Sequence, residues 1–568
     1  MHGVKDWRAA SPQAFDCEKT PVTAHGHMIV TNHPLASAAA GEMAAKGGNA
    51  IDATIASLFA LSVVEPMMVG IFGGGTSVIR LASGEEVIID GLSIAPAGAK
   101  PDCYKPVSDT WPDYMEVEGQ ANKVGASAVA VPGNLKAWAE TLERYGRLSL
   151  AEVMEPAIRF ARNGFRVTGY FIACMNEALG DLSKDPEAAK LLIPGGNPLS
   201  EGDLLVQADY ARTLERIRDE GIESLYGGAL GAELAEKLGG AGSFLRLEDL
   251  KNYRTIDRTP VRGTYRGFEI MGPPAPCSGG LHCIQMLNLM EGFDVAGLGF
   301  GTADGIHLLL EVMKIAATDR RAATADPDFV KVPTERLISK AYGDLRRPEI
   351  DFAKAGAYVP KVGVNDSPNT THVTIADGEG NIVTSTQTIN SLFGARMVIP
   401  GTGIFPNNYM YLFDPHPGGA LSLEPGKRIT STQSPLIIYR DGKPVVALGL
   451  PGGPRLYASA FQAVVNLLDH GMTLQEAVEA PRVWTMGQHV ELEDRILPET
   501  AENLRGRGHE IHMVGHVAGG MAAVELAENG AITGASCWRA DGTPLGLGGG
   551  LARKGVSFWP DPVRAKAK

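Results

Sequence analysis

The feature that most constrains this chain is a change of pattern near residue 365. Residues 371–377 (THVTIAD) and 382–389 (IVTSTQTI) alternate and are rich in β-branched side chains, with Gly378-Glu379-Gly380-Asn381 between them. β-Branched runs joined by a Gly/Asn turn read as a hairpin. A second hairpin is expected at 435–440 and 444–450, turned at Asp441-Gly442. Before residue 365 the chain is helix-rich. Residues 35–46 stop at Gly47-Gly48, Asn49 can cap a helix over 50–64, and Gly70–Gly75 lead into strands at 76–82 and 86–90. Helical periodicity recurs at 133–145, 151–162, 207–219, 280–291 and 302–323, and residues 183–203 and 239–247 read as loops. Helices follow the second hairpin at 456–470, 473–480 and 498–506, with strands at 509–513, 520–527 and 531–536. Strands that must be covered on both faces, between helical segments, make a layered α/β sandwich the expected fold class.

Composition narrows the function. The formal net charge of the 568 residues is −13, which argues against nucleic-acid or anionic-membrane partners. Six cysteines without a CxxC pair do not make a disulfide framework. The first residues have no apolar signal core, and the longest apolar run, Ile55 to Val64, is too short to span a bilayer, so a cytoplasmic protein is expected.

Common catalytic signatures are missing. There is no HExxH, no Walker lysine after the glycines at 70–75 and no complete GxSxG, Gly91-Leu92-Ser93-Ile94-Ala95 being a near miss. His509, His512 and His516 fall on a helix–turn–strand pattern that would not put them on one face, so neither a metal nor an organic cofactor is expected. What remains is Asp366-Ser-Pro-Asn-Thr-Thr-His372, a polar Asn369–Thr370 bond just before an alternating strand. On pattern alone it is a turn followed by strand-favouring threonines.

Asn369-Thr370-Thr371-His372, with Asp377 and Thr388-Ile389-Asn390, resembles the start of the small subunit in the γ-glutamyltransferase family of N-terminal nucleophile (Ntn) hydrolases. The resemblance extends to Pro273–Gly280 (PPAPCSGG), to His307–Arg320 with Asp326-Pro327-Asp328-Phe329, to Gly47–Ala53 and to Pro451–Arg455, and spans roughly residues 21–542. It implies an αββα four-layer sandwich with additional helices from the large subunit. It also implies self-cleavage between Asn369 and Thr370 into a large subunit, 1–369, and a small subunit, 370–568, that together build one unit. A threonine hydroxyl is a poor nucleophile without an adjacent base. A freed α-amine at Thr370, with a reference pKa of about 8, would supply that base from within the same residue. By position, Thr388 would bond the Thr370 hydroxyl, the backbone N–H groups of Gly452 and Gly453 would stabilise an oxyanion, and Asn390, Ser431 and Thr432 would hold the acyl group.

The family's charged substrate contacts are not kept. The carboxylate-binding arginine position is Pro101, beside Lys100, and the Gln and Asp positions that hold an α-amino group are Tyr409 and Leu412. A hydrogen bond to a charged group contributes about 1.5–3 kcal/mol, so losing both contacts costs about 3–6 kcal/mol, roughly 10²–10⁴ in affinity. Arg396 is the first candidate to replace the arginine and Lys100 the second. The expected activity is therefore hydrolysis of a small amide with an oxamate-like or other non-γ-glutamyl acyl group, with water or a small amine as acceptor. A γ-glutamyltransferase or glutathione hydrolase with a rebuilt carboxylate site is the alternative. An uncleaved, non-catalytic proenzyme is a third reading. The subunits of the precursor are the expected protein partners, with a dimer of such heterodimers left open.

Overall fold

The alternating segments close as a hairpin, Thr371–Ala376 against Ile382–Thr388, registered from Thr371↔Gln387 to Ala376↔Ile382. The computed structural model describes residues 7–110, 113–357 and 370–549, and it buries every residue of both strands. Strands buried on both faces need cover above and below. In their own sheet they are central: the order is Pro544–Gly546, Met28–Thr31, Thr371–Ala376, Ile382–Thr388, Gly74–Arg80, Glu86–Asp90, Ile256–Arg258, all antiparallel.

One face of this sheet carries helices Pro34–Ala45 and Ala50–Val64. The second helix is buried along its whole length, as its unbroken apolar run requires. Its start is fixed by a capping box: Asn49 Oδ1 accepts the Ile51 and Asp52 N–H groups, and the Asp52 carboxylate accepts the Asn49 N–H at 2.7 Å. Such a cap contributes about 1 kcal/mol. Asp377, at the hairpin turn, accepts the Ala50 N–H at 2.9 Å and so ties the hairpin to this helix.

The other face meets a second seven-stranded antiparallel sheet, ordered Val22–Ala24, Ile532–Ser536, Ala522–Leu526, Lys443–Gly449, Leu436–Arg440, Phe268–Gly272, Val261–Tyr265. Met28, Val30, Val78, Ile382, Ile437, Ala447 and Val524 fill the space between the sheets. Threonines bridge it: Thr374 donates to the Ala522 carbonyl at 3.0 Å and Thr384 to the Leu448 carbonyl at 3.2 Å. His372 lies in the same layer, with ring nitrogens 2.8 Å from the Thr386 hydroxyl and 2.9 Å from that of Thr374. Burial pushes its pKa down to about 3, so the ring is neutral. Helices Gly279–Met290, Ala303–Ala323 and Leu456–Leu468 cover the outer side, completing the αββα sandwich. No helix among the described residues is long and apolar enough to cross a membrane.

Two local expectations need correction, and one expected strand lies outside the two main sheets. The helix-rich first part also supplies strands to both sheets. Val261–Tyr265 is one of them, an edge strand whose Arg262 and Thr264 are exposed, so its pattern is not that of a buried strand. The stretch expected as a loop over 183–203 contains the helix Pro186–Leu192, too short for a periodic signal and started by Asp185, which accepts the Ala188 N–H at 2.8 Å. The strand expected at 509–513 forms as Glu510–Val514 but joins a separate three-stranded sheet with Val483–Thr485 and His489–Glu493.

Candidate active site

Continuing the hairpin register by one residue sets Thr370 opposite Thr388. Thr370 directly precedes the first strand and is 3% exposed. Its predecessor Asn369 lies outside the described residues. Successive strand residues point to opposite faces, and the Thr371 hydroxyl accordingly donates to Glu65 at 2.7 Å, behind the site.

Thr370 borders two cavities. The smaller has about 30 Å³ open and brings together Thr370, Thr388, Asn390, Tyr409, Leu412, Ser431, Thr432 and Gly453, residues from five separate stretches of sequence. The larger holds about 430 Å³ and is walled by Tyr170, Glu177, Arg455, Glu491, Trp538 and Asp541 among others. Arg396 and Lys100 line neither cavity. The Arg396 guanidinium is engaged by Asp181, and Lys100 is exposed.

Each wall of the small pocket is held by its neighbours. The Thr388 hydroxyl accepts the Asn390 N–H at 2.8 Å. Asn390 turns the chain out of its strand with φ 78°, a left-handed conformation that Asn tolerates better than most residues, and its amide donates to Asn408 Oδ1 at 3.0 Å. The Tyr409 hydroxyl donates to the Gly74 carbonyl at 2.8 Å and faces the Thr388 carbonyl at 3.3 Å. Tyr409 therefore offers substrate a ring rather than a hydroxyl. Gly73 permits this packing, since a Cβ there would lie 2.1 Å from the Thr388 carbonyl oxygen.

Gly452 and Gly453 link strand Lys443–Gly449 to helix Leu456–Leu468 through a turn with φ 144° and 55°, and a Cβ on Gly452 would meet the Ala518 Cβ at 2.4 Å. Only glycine fits both demands. The Thr432 hydroxyl donates to the Gly453 carbonyl at 2.6 Å and pins the turn against the pocket. N–H groups in the first turn of a helix lack intrahelical acceptors, so this turn suits a developing negative charge.

No Arg, Lys, His, Asp or Glu lines the small pocket among the described residues. Its polarity comes from hydroxyls, from Asn390 and from Gln433, a residue that sequence reasoning missed. Gln433 is 2% exposed, yet neither its Oε1 nor its Nε2 has a hydrogen-bond partner among the described residues. A buried unpaired amide is costly, so Gln433 needs a partner that a bound ligand or a water would supply. Its only sequence signal is a polar run, Thr430–Ser434, just before a strand. Glu65 was also missed. It is fully buried, Oε1 has no partner among the described residues, and desolvation pushes its carboxyl up to about 8.

The three histidines 509, 512 and 516 separate as expected. His509 pairs with His307 at 2.8 Å, His512 stacks on His489, and His516 borders the larger cavity. Lys314 donates to Glu311 at 2.8 Å beside the His307–His509 pair, so a cation already sits in that buried cluster.

A family model described as gamma-glutamyltranspeptidase matches residues 36–547. The chain belongs to the gamma-glutamyltranspeptidase family. It is 54% identical over 544 residues to the acylase ACY 1 proenzyme of Pseudomonas sp. (strain SE83), covering 96% of this chain and 98% of the relative. It is 33% identical to the glutathione hydrolase proenzyme of Bacillus subtilis (strain 168), covering 94% of each. Among solved structures, the cephalosporin acylase from Bacillus halodurans superposes with a TM-score of 0.84 at 29% identity, over 95% of this chain and 99% of that one. The chain is thus an enzyme of this family with the Ntn-hydrolase fold.

Proposed function

We propose that this enzyme cleaves itself before Thr370 and then hydrolyses amides whose acyl group is short, uncharged near the scissile bond and not γ-glutamyl. In the processing step the Thr370 hydroxyl attacks the carbonyl carbon of Asn369. The peptide bond becomes an ester, and water hydrolyses it to leave residues 1–369 and a small subunit beginning at Thr370. In turnover the freed α-amine takes the hydroxyl proton as the oxygen attacks the substrate carbonyl, then passes it to the leaving amine. The negative oxygen that forms would face the N–H groups of Gly452 and Gly453, a donor of this kind being worth about 3–4 kcal/mol in the transition state. Water, or a small amine, then takes the acyl group from Thr370.

The observation that carries this reading is the neutral pocket in which Thr370 meets Thr388, Asn390, Ser431, Thr432 and Gly453. A γ-glutamyl head brings an ammonium and a carboxylate, and this pocket offers neither an acid nor a base to receive them. Its small open volume suits a short acyl group, while the larger cavity, with Tyr170, Trp538 and charged groups of both signs, suits a bulkier leaving amine. The similarity to a protein named an acylase proenzyme supports amide hydrolysis as the reaction.

Two experiments test it. Denaturing gels with N-terminal sequencing should find a second chain starting at Thr370, and Thr370→Ala should remain one inactive chain. Cleavage of that variant before residue 370 would sink the mechanism. A panel of oxamate, glutaryl amides, acyl β-lactams and γ-glutamyl-4-nitroanilide should give faster turnover on an uncharged or distally charged acyl group. Preference for the γ-glutamyl anilide would favour the glutathione-hydrolase reading instead.

A further inference from the structure

On the face of the three-stranded sheet away from the sandwich, two strands run parallel and in register, with His489 opposite Glu510 and Glu491 opposite His512. The sequences are mirror images, His489-Val490-Glu491 and Glu510-Ile511-His512. Side chains of a strand alternate, so Val490 and Ile511 turn inward and the four polar groups share one face. They form a square with the two imidazoles on one diagonal and the two carboxylates on the other.

Side-chain contacts bear this out. The rings of His489 and His512 stack with centroids 4.1 Å apart. His512 Nε2 lies 3.1 Å from a Glu510 carboxylate oxygen, and His489 Nε2 lies 3.8 Å from one of Glu491. The ligand atoms of His489, Glu510 and His512 all fall within 4.8 Å of one another. Glu491 differs from the other three: it is nearly buried and already receives two hydrogen bonds from Arg455.

We propose that His489, His512 and Glu510 form a surface site for one divalent transition-metal ion of the Zn²⁺ class, with water in the fourth position. Zinc bonds of about 2.0–2.2 Å in tetrahedral geometry need ligand atoms roughly 3.3 Å apart. Small side-chain rotations of exposed residues close the present spacing to that value. Two imidazoles and a carboxylate select zinc, copper or nickel over magnesium and calcium, which prefer oxygen ligands. Glu491 is already taken by Arg455, which leaves Glu510 as the carboxylate for the ion. The three proposed ligands line neither cavity at Thr370, while Glu491 beside them borders the larger one.

Tag-free, EDTA-treated full-length protein is titrated with Zn²⁺ in a calorimeter, and with Co²⁺ while its visible absorption is followed. One equivalent of Zn²⁺ and a Co²⁺ band of four- or five-coordinate intensity are expected, with Mg²⁺ giving no heat. Altering groups that merely support metal ligands costs about 10–100-fold in affinity, so losing a ligand in His489→Ala or His512→Ala should weaken binding at least about tenfold. Both positions are exposed, and circular dichroism will show whether the variants keep the wild-type fold. No zinc heat in the wild type, or unchanged affinity in the His489→Ala/His512→Ala double variant with its fold intact, overturns the proposal.

Discussion

Replacing Gln433 by leucine keeps the size of a buried side chain and removes the donor and acceptor that have no partner among the described residues. If the acyl group completes that amide, Gln433→Leu should lower kcat/KM by about 10–100-fold, the worth of one or two hydrogen bonds in a dry site. Self-cleavage should be little changed, because Thr370 and the turn at Gly452-Gly453 are untouched. An unaltered kcat/KM over the whole amide panel would show that Gln433 does not face the acyl group. Leu412→Asp tests the same pocket at another of its lining residues. It restores an acid where an α-ammonium would lie, so turnover of γ-glutamyl-4-nitroanilide should rise, and no rise would mean that this wall does not set the preference. At this scale the site was legible through the family resemblance rather than through pattern: Thr370, Thr388, Asn390, Ser431, Thr432 and Gly453, which that resemblance singles out, line one pocket. Gln433 and Glu65 were unreadable because their meaning is an unmet hydrogen bond, which only packing creates.

Helix Ala50–Val64 was legible almost to the residue, since its cap and its apolar run are both local signals. The next residue was not. Glu65 lies at the helix end, accepts the Thr371 hydroxyl, and has its carboxyl pushed from an ordinary 4.5 to about 8 by desolvation. The unfolded chain releases this proton near pH 4.5, while the folded protein keeps it until about pH 8. Between those limits the unfolded state binds fewer protons, so this group's contribution to stability is complete below the lower limit and falls as pH rises, by about 1.4 kcal/mol per pH unit. Glu65→Gln keeps an acceptor for Thr371 but cannot ionise. Urea unfolding of the Thr370→Ala chain, with and without Glu65→Gln, should show a shallower loss of stability between pH 5 and 8 in the double variant. Its advantage over the parent should be on the order of 3 kcal/mol at pH 7 and largest above pH 8. Identical pH slopes would mean that Glu65 ionises in the folded protein near its ordinary value. Strand Val261–Tyr265 was hidden because its exposed edge residues, Arg262 and Thr264, break the pattern of a buried strand, although its partner Phe268–Gly272 follows directly after the turn Arg266-Gly267.

Across the whole molecule, the proposed cleavage point divides the sequence but not the sandwich. In the sheet that carries the hairpin, Thr371–Ala376 is bonded to Met28–Thr31 on one side and Ile382–Thr388 to Gly74–Arg80 on the other. In the second sheet, Leu436–Arg440 pairs with Phe268–Gly272, and Ile532–Ser536 with Val22–Ala24. Both sheets therefore combine strands from before and after the Asn369–Thr370 bond, and the layer between them holds side chains from both parts. That interleaving follows from the sequence only in outline: alternating strands late in the chain demand partners, but nothing local says that residues 22–31 supply some of them. Neither part has a complete core, so scission should free the Thr370 amine without freeing a subunit. Size-exclusion chromatography of processed enzyme should find both polypeptides in one peak at neutral pH and at high salt, because buried apolar surface and backbone pairing are far less sensitive to salt than exposed ion pairs. Urea should unfold the two in a single coincident transition followed by fluorescence and by circular dichroism. Separation of a folded small subunit under native conditions would mean that the strands on either side of residue 370 do not hold one another, and the shared-sheet account of the processed enzyme would fall with them.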